Sequence, residues 1–343
     1  MEKVLVTGAS GYIALHCIVV LLKDGFAVRG SLRSPERESE VRTAIGKEVD
    51  AKNNLEFCQL DLMKDDGWDE AVNGCDYVMH VASPFPFAAP KNENEIIEPA
   101  REGTLRALKA SKNAGIKKIV ITSSQAAIAY GHENSENKIF GPDDWTNIDG
   151  PEVSAYVKSK TIAERAAWDF INSQKEKTLE LVVINPGAVL GPSLSNDIKG
   201  TSTDMFKKFL TREIPACPNI YMNYVDVRDV AKNHLAALKS IEANGKRFPC
   251  MSSEAVPMIE WAKILNSNGF PQVSTKRLPD FVVKILSLFN PEMKTIKQFL
   301  NKKTKLDNSQ TINILSWQPM PMEQTVIEMG KSVQSYLEKR KVH

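Results

Sequence analysis

Short runs of β-branched and aromatic residues alternate with longer amphipathic stretches over the first two-thirds of this 343-residue sequence. The runs that we predict to be strands are Lys3 to Thr7, Ala27 to Leu32, Leu55 to Leu60, Tyr77 to Val81, Lys118 to Ser123 and Leu179 to Asn185. The helical patterns between them are Tyr12 to Lys23, Pro35 to Ile45, Trp68 to Val72, Ile96 to Ala114 and Ala155 to Asn172. Strands that alternate with helices are typical of βαβ units. The pattern therefore predicts an α/β fold with a doubly wound parallel sheet.

The amino-acid composition limits the kinds of molecule that we expect this protein to bind. The 44 Lys and Arg residues nearly balance the 42 Asp and Glu residues, so a polybasic surface for nucleic acid or membrane is not indicated. The five cysteines are scattered and the five histidines have no metal-ligand spacing, so we expect a reducing compartment and no metal. Met1 leads directly into a strand, and the longest apolar runs are about half of the ~20 residues that a spanning helix needs. We expect a cytoplasmic protein, monomeric or homodimeric, with a small-molecule partner.

A glycine-rich segment, Thr7-Gly8-Ala9-Ser10-Gly11-Tyr12-Ile13-Ala14, follows the first predicted strand and opens the first helix. Gly8 can form the tight turn, Gly11 lets the backbone approach a pyrophosphate, and Ala14 keeps helix and strand close. The N–H groups at the positive end of the helix dipole would face the phosphates. The sequence thus predicts a Rossmann-type site, and the cofactor-binding residues here are Thr7, Gly8, Ser10, Gly11, Tyr12 and Ile13. The alternative is a glycine-rich turn without a ligand.

The end of the second strand distinguishes NADP from NAD, because a carboxylate there accepts from the ribose 2′-OH and repels a 2′-phosphate. The sequence has no carboxylate at this point and reads Gly30-Ser31-Leu32-Arg33-Ser34. Arg33, with support from Ser31, Ser34 and Arg37, offers a planar guanidinium suited to phosphate. We predict NADPH as the cofactor. The alternative is that Arg33 is a solvated surface charge.

Two further strand ends are candidate cofactor contacts. Asp61 and Leu62 close the third strand and resemble the aspartate and apolar pair that contacts an adenine edge in such folds, although a simple strand-end cap is the alternative. Val81, Ala82 and Ser83 close the fourth strand, where small residues allow close approach to a cofactor.

A catalytic group is predicted from Tyr156 and Lys160, which stand four positions apart in a helical stretch and so share one face. A phenol is a weak acid with a pKa of about 10, and a nearby ammonium and an oxidised nicotinamide favour its anion. Ser124 ends the fifth strand at the edge where ligands bind in parallel sheets, and its hydroxyl can hold a carbonyl oxygen. We expect Ser123, its neighbour, to point away or to support the cofactor.

These motifs together resemble the extended short-chain dehydrogenase/reductases, and most closely the dihydroflavonol-4-reductase-like subgroup. The segments most similar to yeast NADPH-dependent aldehyde and methylglyoxal reductases are Thr122 to Ala127 and Ala155 to Trp168, and Tyr224 to Ala231 resembles a later signature of the subgroup. The resemblance implies an NADPH-dependent carbonyl reductase in which Ser124, Tyr156 and Lys160 convert an aldehyde or ketone to an alcohol. It also implies that Pro186, Gly187 and Val189 lie against the nicotinamide.

One position departs from the plant flavonoid reductases of this subgroup. They have an asparagine five residues after the catalytic serine, whereas this sequence has Ala129. A site without that amide loses a hydrogen bond to a polyphenolic ring, so a smaller or less polar carbonyl substrate is expected. Phe85, Pro86, Phe87, Ile128 and Tyr130 are expected near the mouth of a mainly apolar pocket.

The regular alternation ends after Asn185, where prolines and glycines punctuate the chain before helical patterns near Val227 to Ile241 and Pro257 to Asn266. We predict an NADP-binding Rossmann domain at residues 1–185, which includes the catalytic helix. Residues 186–343 are predicted to form mainly a smaller C-terminal substrate lobe, with some segments returning to the sheet. The apolar stretch Phe281 to Phe289 is expected to lie in the lobe core or the pocket wall.

The same fold also hosts sugar-nucleotide epimerases and dehydratases, and non-catalytic dinucleotide-binding proteins. An epimerase normally keeps NAD tightly bound, which the Arg33 position argues against. A dinucleotide sensor would need the glycine turn but not Ser124, Tyr156 and Lys160 together. Carbonyl reduction is therefore the favoured function, and the other two remain alternatives.

Overall fold

The computed structural model describes residues 1–84, 92–133, 137–151, 153–176, 178–195, 201–290, 293, 296–297 and 299–341. Its strands are β1 (Lys3–Val6), β2 (Ala27–Leu32), β3 (Leu55–Gln59), β4 (Tyr77–His80), β5 (Lys118–Thr122), β6 (Ile139–Phe140), β7 (Glu180–Pro186), β8 (Ala188–Leu190), β9 (Tyr221–Met222), β10 (Tyr224–Asp226), β11 (Arg247–Cys250), β12 (Val256–Pro257) and β13 (Lys305–Leu306). Its helices are α1 (Tyr12–Lys23), α2 (Glu38–Gly46), α3 (Trp68–Val72), α4 (Asn94–Asn113), α5 (Ala155–Asn172), α6 (Thr201–Leu210), α7 (Val227–Lys239), α8 (Met258–Ser267), α9 (Asp280–Leu286), α10 (Ser309–Leu315) and α11 (Met322–Lys341).

A central sheet of seven parallel strands has the order β11-β7-β5-β4-β1-β2-β3. Neighbouring residues of one strand enter two different cores. On β1, Val4 and Val6 join the core that includes α1 and α7, while Leu5 joins the core that includes α3, α4 and α5. Both faces of the sheet are therefore covered by helices, as the near-continuous apolar strands require. The predicted doubly wound Rossmann-type fold is confirmed.

The seventh strand of this sheet, β11, has no counterpart among the predicted strands. It has four residues, and one of them is Pro249. A proline lacks the N–H that a central strand donates, so it argues against a strand in sequence. Here it is accommodated because β11 pairs only with β7 and forms an edge of the sheet.

The remaining strands form three two-stranded pairs outside the main sheet. They are β8 with β10, β9 with β12 and β6 with β13. A separate apolar core beside them is formed by residues of α6, α8 and α11, including Phe206, Trp261 and Met329. Strands of two or three residues have no readable periodicity, which explains why sequence patterns did not reveal them.

The expectation that the stretch Phe281 to Phe289 lies in the lobe core is wrong. Val283 is fully buried, but Phe281, Leu288 and Phe289 are 64%, 72% and 83% exposed. The reason is that α9 packs through Val283, and Ser287 lies one turn further on the same side. The other apolar side chains of this segment consequently face outward.

Some features are absent from the part of the chain that the structure describes. No helix there is both long enough and apolar enough to cross a membrane. Within the same residues, no group of three or more His, Cys, Asp or Glu side chains is arranged to hold a metal ion. All five cysteines are free thiols.

Candidate functional site

The glycine-rich segment forms a tight turn between β1 and α1. Gly8 has a φ of +69°, and a Cβ added there would lie 3.0 Å from the Cβ of Ala82, so only glycine suits this position. The N–H of Gly11 donates to the carbonyl of Gly8 at 2.8 Å, which closes the turn. Gly11 caps α1 without a side-chain hydrogen bond. The first N–H groups of α1, including those of Tyr12 and Ile13, are thus available to an anion, so the turn fits a pyrophosphate.

The Thr7 hydroxyl joins the ends of β1 and β4. Its oxygen accepts from the N–H groups of Val81 and Ala82 at 3.1 and 3.0 Å, and it lies 3.0 Å from Nδ1 of His80. Because both lone pairs accept, the hydroxyl donates its own proton to Nδ1, and His80 holds its ring proton on Nε2. Burial lowers the pKa of His80 to about 3, so the ring stays neutral. Thr7 and His80 therefore brace the cofactor end of the sheet.

Arg33 and Arg37 follow β2 and differ in their contacts. Arg37 donates to the hydroxyl of Ser10 at 3.1 Å and forms a two-pronged ion pair with Glu40. The Arg33 side chain is exposed and has no hydrogen bond or ion pair with any part of the chain that the structure describes. Its guanidinium is free to bind a phosphate. The sequence predicts that Ser31 supports Arg33 in binding phosphate. In the structure, the Ser31 hydroxyl instead accepts from the N–H of Gly8 and so stabilises the glycine turn.

The other predicted cofactor contacts lie around this turn. The Tyr12 hydroxyl donates to the carbonyl of Gly191 at 2.7 Å, so its phenol fastens α1 to the loop after β8. The Asp61 carboxylate accepts from the N–H of Met63 at 2.9 Å, and the Leu62 side chain packs against Gly103 of α4. Ser83 is half-buried directly after Ala82. Phe85, Pro86 and Phe87 lie outside the described residues.

Ser123 and Ser124 point to different partners. Ser123 donates to Oε2 of Glu164 at 2.5 Å and is buried. Ser124 precedes a short helical turn at Gln125–Ala127, and its hydroxyl oxygen accepts from the N–H of Ala126 at 3.1 Å. Its hydroxyl also forms a hydrogen bond with Tyr156, which opposes the rise that burial causes in the pKa of Tyr156. Of the two serines, Ser124 faces the candidate catalytic tyrosine.

Tyr156 and Lys160 share one face of α5. The Lys160 Nζ lies 5.9 Å from the centre of the Tyr156 ring, and the helix begins with Ser154, which caps the N–H of Val157. Burial lowers the pKa of Lys160 to about 8, although nearby Glu164 acts in the opposite direction. Burial also raises the pKa of Tyr156, and the hydrogen bond with Ser124 opposes this rise. The phenol is therefore protonated at neutral pH.

A buried polar network around Glu164 was not predicted from the sequence. Glu164, one turn after Lys160, accepts from Ser123, from Asn185 at 2.7 Å and from Arg247 at 2.5 Å. Solvent hardly reaches this ion pair: the side chain of Glu164 is 1% exposed and that of Arg247 is 7% exposed. Buried charges are stable only with such partners. The sequence contains no local signal for this network, because the partner of Glu164 lies 83 positions away.

The segment after β7 passes close to this network. Asn185 donates to the backbone carbonyl of Ser124 at 3.3 Å, and Pro186 is buried. A Cβ on Gly187 would lie 2.4 Å from the carbonyl oxygen of Asn223, so a side chain does not fit there. Val189 is half-buried and packs against the core around α1 and α7. Asn185 thus holds the segment Pro186 to Val189 at the same sheet edge as Ser124.

The sequence predicts a mainly apolar pocket with Tyr130 near its mouth. The Tyr130 hydroxyl adds a polar group to this region. The backbone of Tyr130 is hydrogen-bonded to the loop that contains Thr146. The Tyr130 N–H donates to the Thr146 hydroxyl at 3.0 Å, and the Tyr130 carbonyl accepts from the Asn147 N–H at 3.0 Å. Burial, with a smaller effect of Tyr156, raises the pKa of the Tyr130 phenol to about 12. This hydroxyl has no hydrogen-bond partner among the described residues. It is a neutral donor close to Tyr156.

Comparison with known proteins identifies the family. A model of the NAD dependent epimerase/dehydratase family matches residues 4–249. Cinnamoyl-CoA reductase 1 of Petunia hybrida is 31% identical over 339 residues, which cover 97% of this chain and 92% of that protein. Anthocyanidin reductase of Vitis vinifera is 29% identical over 280 residues, covering 78% of this chain and 80% of that protein. The chain therefore belongs to the NAD dependent epimerase/dehydratase family, and the predicted recognition as an extended short-chain dehydrogenase/reductase is confirmed.

A solved structure agrees with this assignment. The yeast methylglyoxal/isovaleraldehyde reductase Gre2, crystallised with NADPH, superposes with a TM-score of 0.81 at 27% identity. The match covers 98% of this chain and 100% of the yeast chain. The likeness thus includes the C-terminal lobe as well as the parallel sheet.

The lowered pKa of Lys160 predicts a pH dependence. Below pH 8 the ammonium is present, and as the pH rises through about 8 it loses its proton, so kcat/KM for NADPH should fall on the alkaline side. Steady-state rates between pH 6 and pH 9.5 measure this limb. Lys160→Arg, which keeps its charge throughout, is the control and should remove the limb in whatever activity it retains. A parent profile that is flat to pH 9.5 would contradict the assignment.

Proposed function

We propose that this chain is an NADPH-dependent carbonyl reductase that converts an aldehyde or ketone to an alcohol. The observation that carries the proposal is the meeting of Ser124, Tyr156 and Lys160 at the sheet edge that also holds the glycine turn. The solved relative that was crystallised with NADPH and named a methylglyoxal/isovaleraldehyde reductase supports the same reaction class. The relatives named cinnamoyl-CoA and anthocyanidin reductase support it further.

The catalytic roles follow from the contacts of the three side chains. Bound NADPH supplies the hydride that the carbonyl carbon receives. Ser124 donates a hydrogen bond to the carbonyl oxygen, and Tyr156 transfers its phenolic proton to that oxygen as the alcohol forms. Burial raises the pKa of Tyr156, so the phenol keeps its proton at neutral pH and can donate it in the reductive direction. The Lys160 ammonium stabilises the phenolate that remains and binds ribose hydroxyls.

The cofactor residues divide between two parts of its surface. Thr7, Gly8, Ser10, Gly11, Tyr12 and Ile13 form the pyrophosphate site, and Arg33 binds the 2′-phosphate. Asp61 and Leu62 border the adenine. Val81, Ala82, Ser83, Pro186, Gly187 and Val189 border the nicotinamide half, together with Tyr156 and Lys160.

Residues 1–185 then form the NADP-binding domain, and residues 186–343 mainly form the substrate lobe. The pairing of β11 with β7 supports the return of the later chain to the sheet. We further propose a cytoplasmic enzyme, monomeric or homodimeric. The five free cysteines are compatible with a reducing compartment.

The decisive experiment is a spectrophotometric screen of NADPH oxidation. The panel contains aldehydes, ketones, α-dicarbonyls, dihydroflavonols and a nucleotide sugar. Oxidation with simple carbonyls is expected, because Ala129 gives no amide donor for a flavonoid ring. Chromatography of each reaction detects conversion of the nucleotide sugar, which involves no net oxidation of NADPH. Conversion of the nucleotide sugar without NADPH oxidation by any carbonyl would replace carbonyl reduction with epimerase or dehydratase chemistry.

Arg33→Ala tests the choice of cofactor. Loss of a charge-assisted contact of about 1.5 to 3 kcal/mol should lower kcat/KM for NADPH by roughly one to two orders of magnitude. NADH kinetics should hardly change, because NADH has no 2′-phosphate. The matched control is Arg42→Ala, which removes an exposed guanidinium from nearby α2. Equal use of the two cofactors by the parent enzyme would refute the assignment.

Tyr156→Phe tests the proton donor. The variant should lose about 10²-fold or more of kcat, within the usual range for general acid catalysis, yet bind NADPH almost as tightly as the parent. Quenching of tryptophan fluorescence by NADPH measures binding independently of turnover. Tyr77→Phe removes a phenol outside the site, one that bonds to Glu2, and is the control. A Tyr156→Phe enzyme with near-parental kcat would require another proton donor.

Tyr130→Phe tests substrate selection. The free phenol can donate to a second oxygen on the substrate, so the variant should lose roughly tenfold in kcat/KM for α-dicarbonyls and keto esters. Monofunctional aldehydes of similar size should be affected less than threefold, which separates selection from general damage. Equal losses for both classes would mean that Tyr130 only shapes the pocket.

A further inference from the structure

A second cavity lies behind the cofactor turn, and the proposed reaction does not use it. It has a volume of about 700 Å³ and is lined by α1 from His16 to Lys23, by Lys47 and Glu48 after α2, by the start of α7, by α11 from Glu328 to Lys339 and by the loop at residues 192–195. The glycine turn meets α1 at Gly11, whereas the cavity contacts α1 from His16 to Lys23. The cavity therefore begins about one helical turn beyond the glycine turn, and none of its lining residues belongs to that turn.

Positive charge dominates the lining of this cavity. The basic side chains are Lys23, Lys47, Arg228, Lys232, Lys331 and Lys339. Two carboxylates, Glu48 and Glu328, also line it, which leaves a net charge of +4 in a chain whose total is +2. His16 adds no charge at neutral pH, because burial lowers its pKa to about 4.

Most of this charge is not neutralised by neighbouring carboxylates. Arg228 is paired with the buried Asp226 at 2.7 Å and with Glu328, and Lys23 lies 3.5 Å from Glu48. The remaining four lysines have no ion-pair partner within the part of the chain that the structure describes. These four are Lys47, Lys232, Lys331 and Lys339. Like charges around one concave space repel each other, and an anion between them would remove that cost.

The walls of the cavity are held together by hydrogen bonds. The Ser332 hydroxyl of α11 accepts from the N–H of Ser193 at 2.9 Å, and His16 Nε2 lies 2.9 Å from the carbonyl of Pro192. Lys47 donates to the carbonyl of Leu194 at 3.3 Å. A site that is already formed requires little ordering when a ligand binds.

We propose that this cavity binds a small molecule that bears two or more phosphate groups. Lysine ammonium groups bind phosphate as point charges, and four of them are available here. Val19, Val20 and Leu194 offer apolar surface to the organic part of the ligand. The volume is within the range of small-molecule sites. This inference does not depend on the reductase function.

Isothermal titration calorimetry with inositol hexakisphosphate as the probe tests the proposal. The full chain is first saturated with NADPH, so that the cofactor turn cannot take up the probe. One-to-one binding is expected at low salt, and it should weaken as salt is added because the contacts are ionic. Absence of binding at low salt would overturn the proposal.

Paired charge reversals locate the binding. Lys232→Glu with Lys331→Glu should weaken binding at least tenfold. The control, Lys276→Glu with Lys284→Glu, makes the same change in total charge at exposed positions outside the cavity and should weaken it less than threefold. An unchanged thermal midpoint and an unchanged far-ultraviolet circular dichroism spectrum verify the fold of each variant. Equal weakening in the two variants would mean attraction by overall charge and would refute the site.

Vesicles distinguish the two sources of such phosphates. Co-sedimentation is measured with phosphatidylcholine vesicles, with and without phosphatidylinositol 4,5-bisphosphate. Binding that needs the phosphoinositide and is lost in Lys232→Glu/Lys331→Glu supports the site and assigns it to a lipid headgroup. Binding of the free probe without sedimentation supports the site and assigns it to a soluble phosphate compound. Sedimentation that the paired cavity variant retains would overturn the assignment to this cavity.

Discussion

The ion pair between Glu164 and Arg247 connects the elements on which the candidate site depends. Glu164 lies on α5, one turn after Lys160, and Arg247 begins the edge strand β11. Arg247 also donates to the backbone carbonyls of Ala127, Pro142 and Asp144, and its guanidinium stacks on Trp145 at 3.8 Å. A single buried charge pair therefore holds the catalytic helix, the turn after Ser124 and the loop after β6 together. A buried pair persists only when its hydrogen bonds are satisfied, and here they join five segments of chain, since Asn185 of β7 also donates to Glu164.

Burial also determines the protonation of the groups expected to react. It moves the pKa of Tyr156 up and that of Lys160 down, so both shifts favour the uncharged forms. The result differs for the two groups. The raised pKa keeps Tyr156 protonated and able to donate. The lowered pKa of Lys160, about 8, lies close to physiological pH. The Ser124 hydroxyl offsets part of the effect on Tyr156, and Glu164 offsets part of the effect on Lys160.

Local patterns were sufficient for six of the seven strands of the parallel sheet and for the motifs at their ends. The six predicted strands occur within one residue of their expected limits, because they are short segments rich in β-branched and apolar residues and are separated by helical patterns and turn residues. Strand β11 was not predicted because it contains Pro249. A proline is tolerated only in an edge strand, and whether a strand lies at the edge depends on the whole sheet. The free phenol of Tyr130 was not predicted either, since no sequence pattern reveals whether a hydroxyl has a partner. The exposed face of α9 was mistaken for core because apolar residues alone do not show where a helix packs.

The sequence by itself determined the order of strands and helices, the glycine turn, the absence of a carboxylate after β2 and the spacing of Tyr156 and Lys160. Each of these depends on neighbours within a few positions, so local rules of conformation suffice. Only the tertiary structure decided which charges are paired and how far burial shifts each pKa. Those properties depend on contacts such as that of Glu164 with Arg247, 83 positions apart, and on the exclusion of water, which no local pattern encodes.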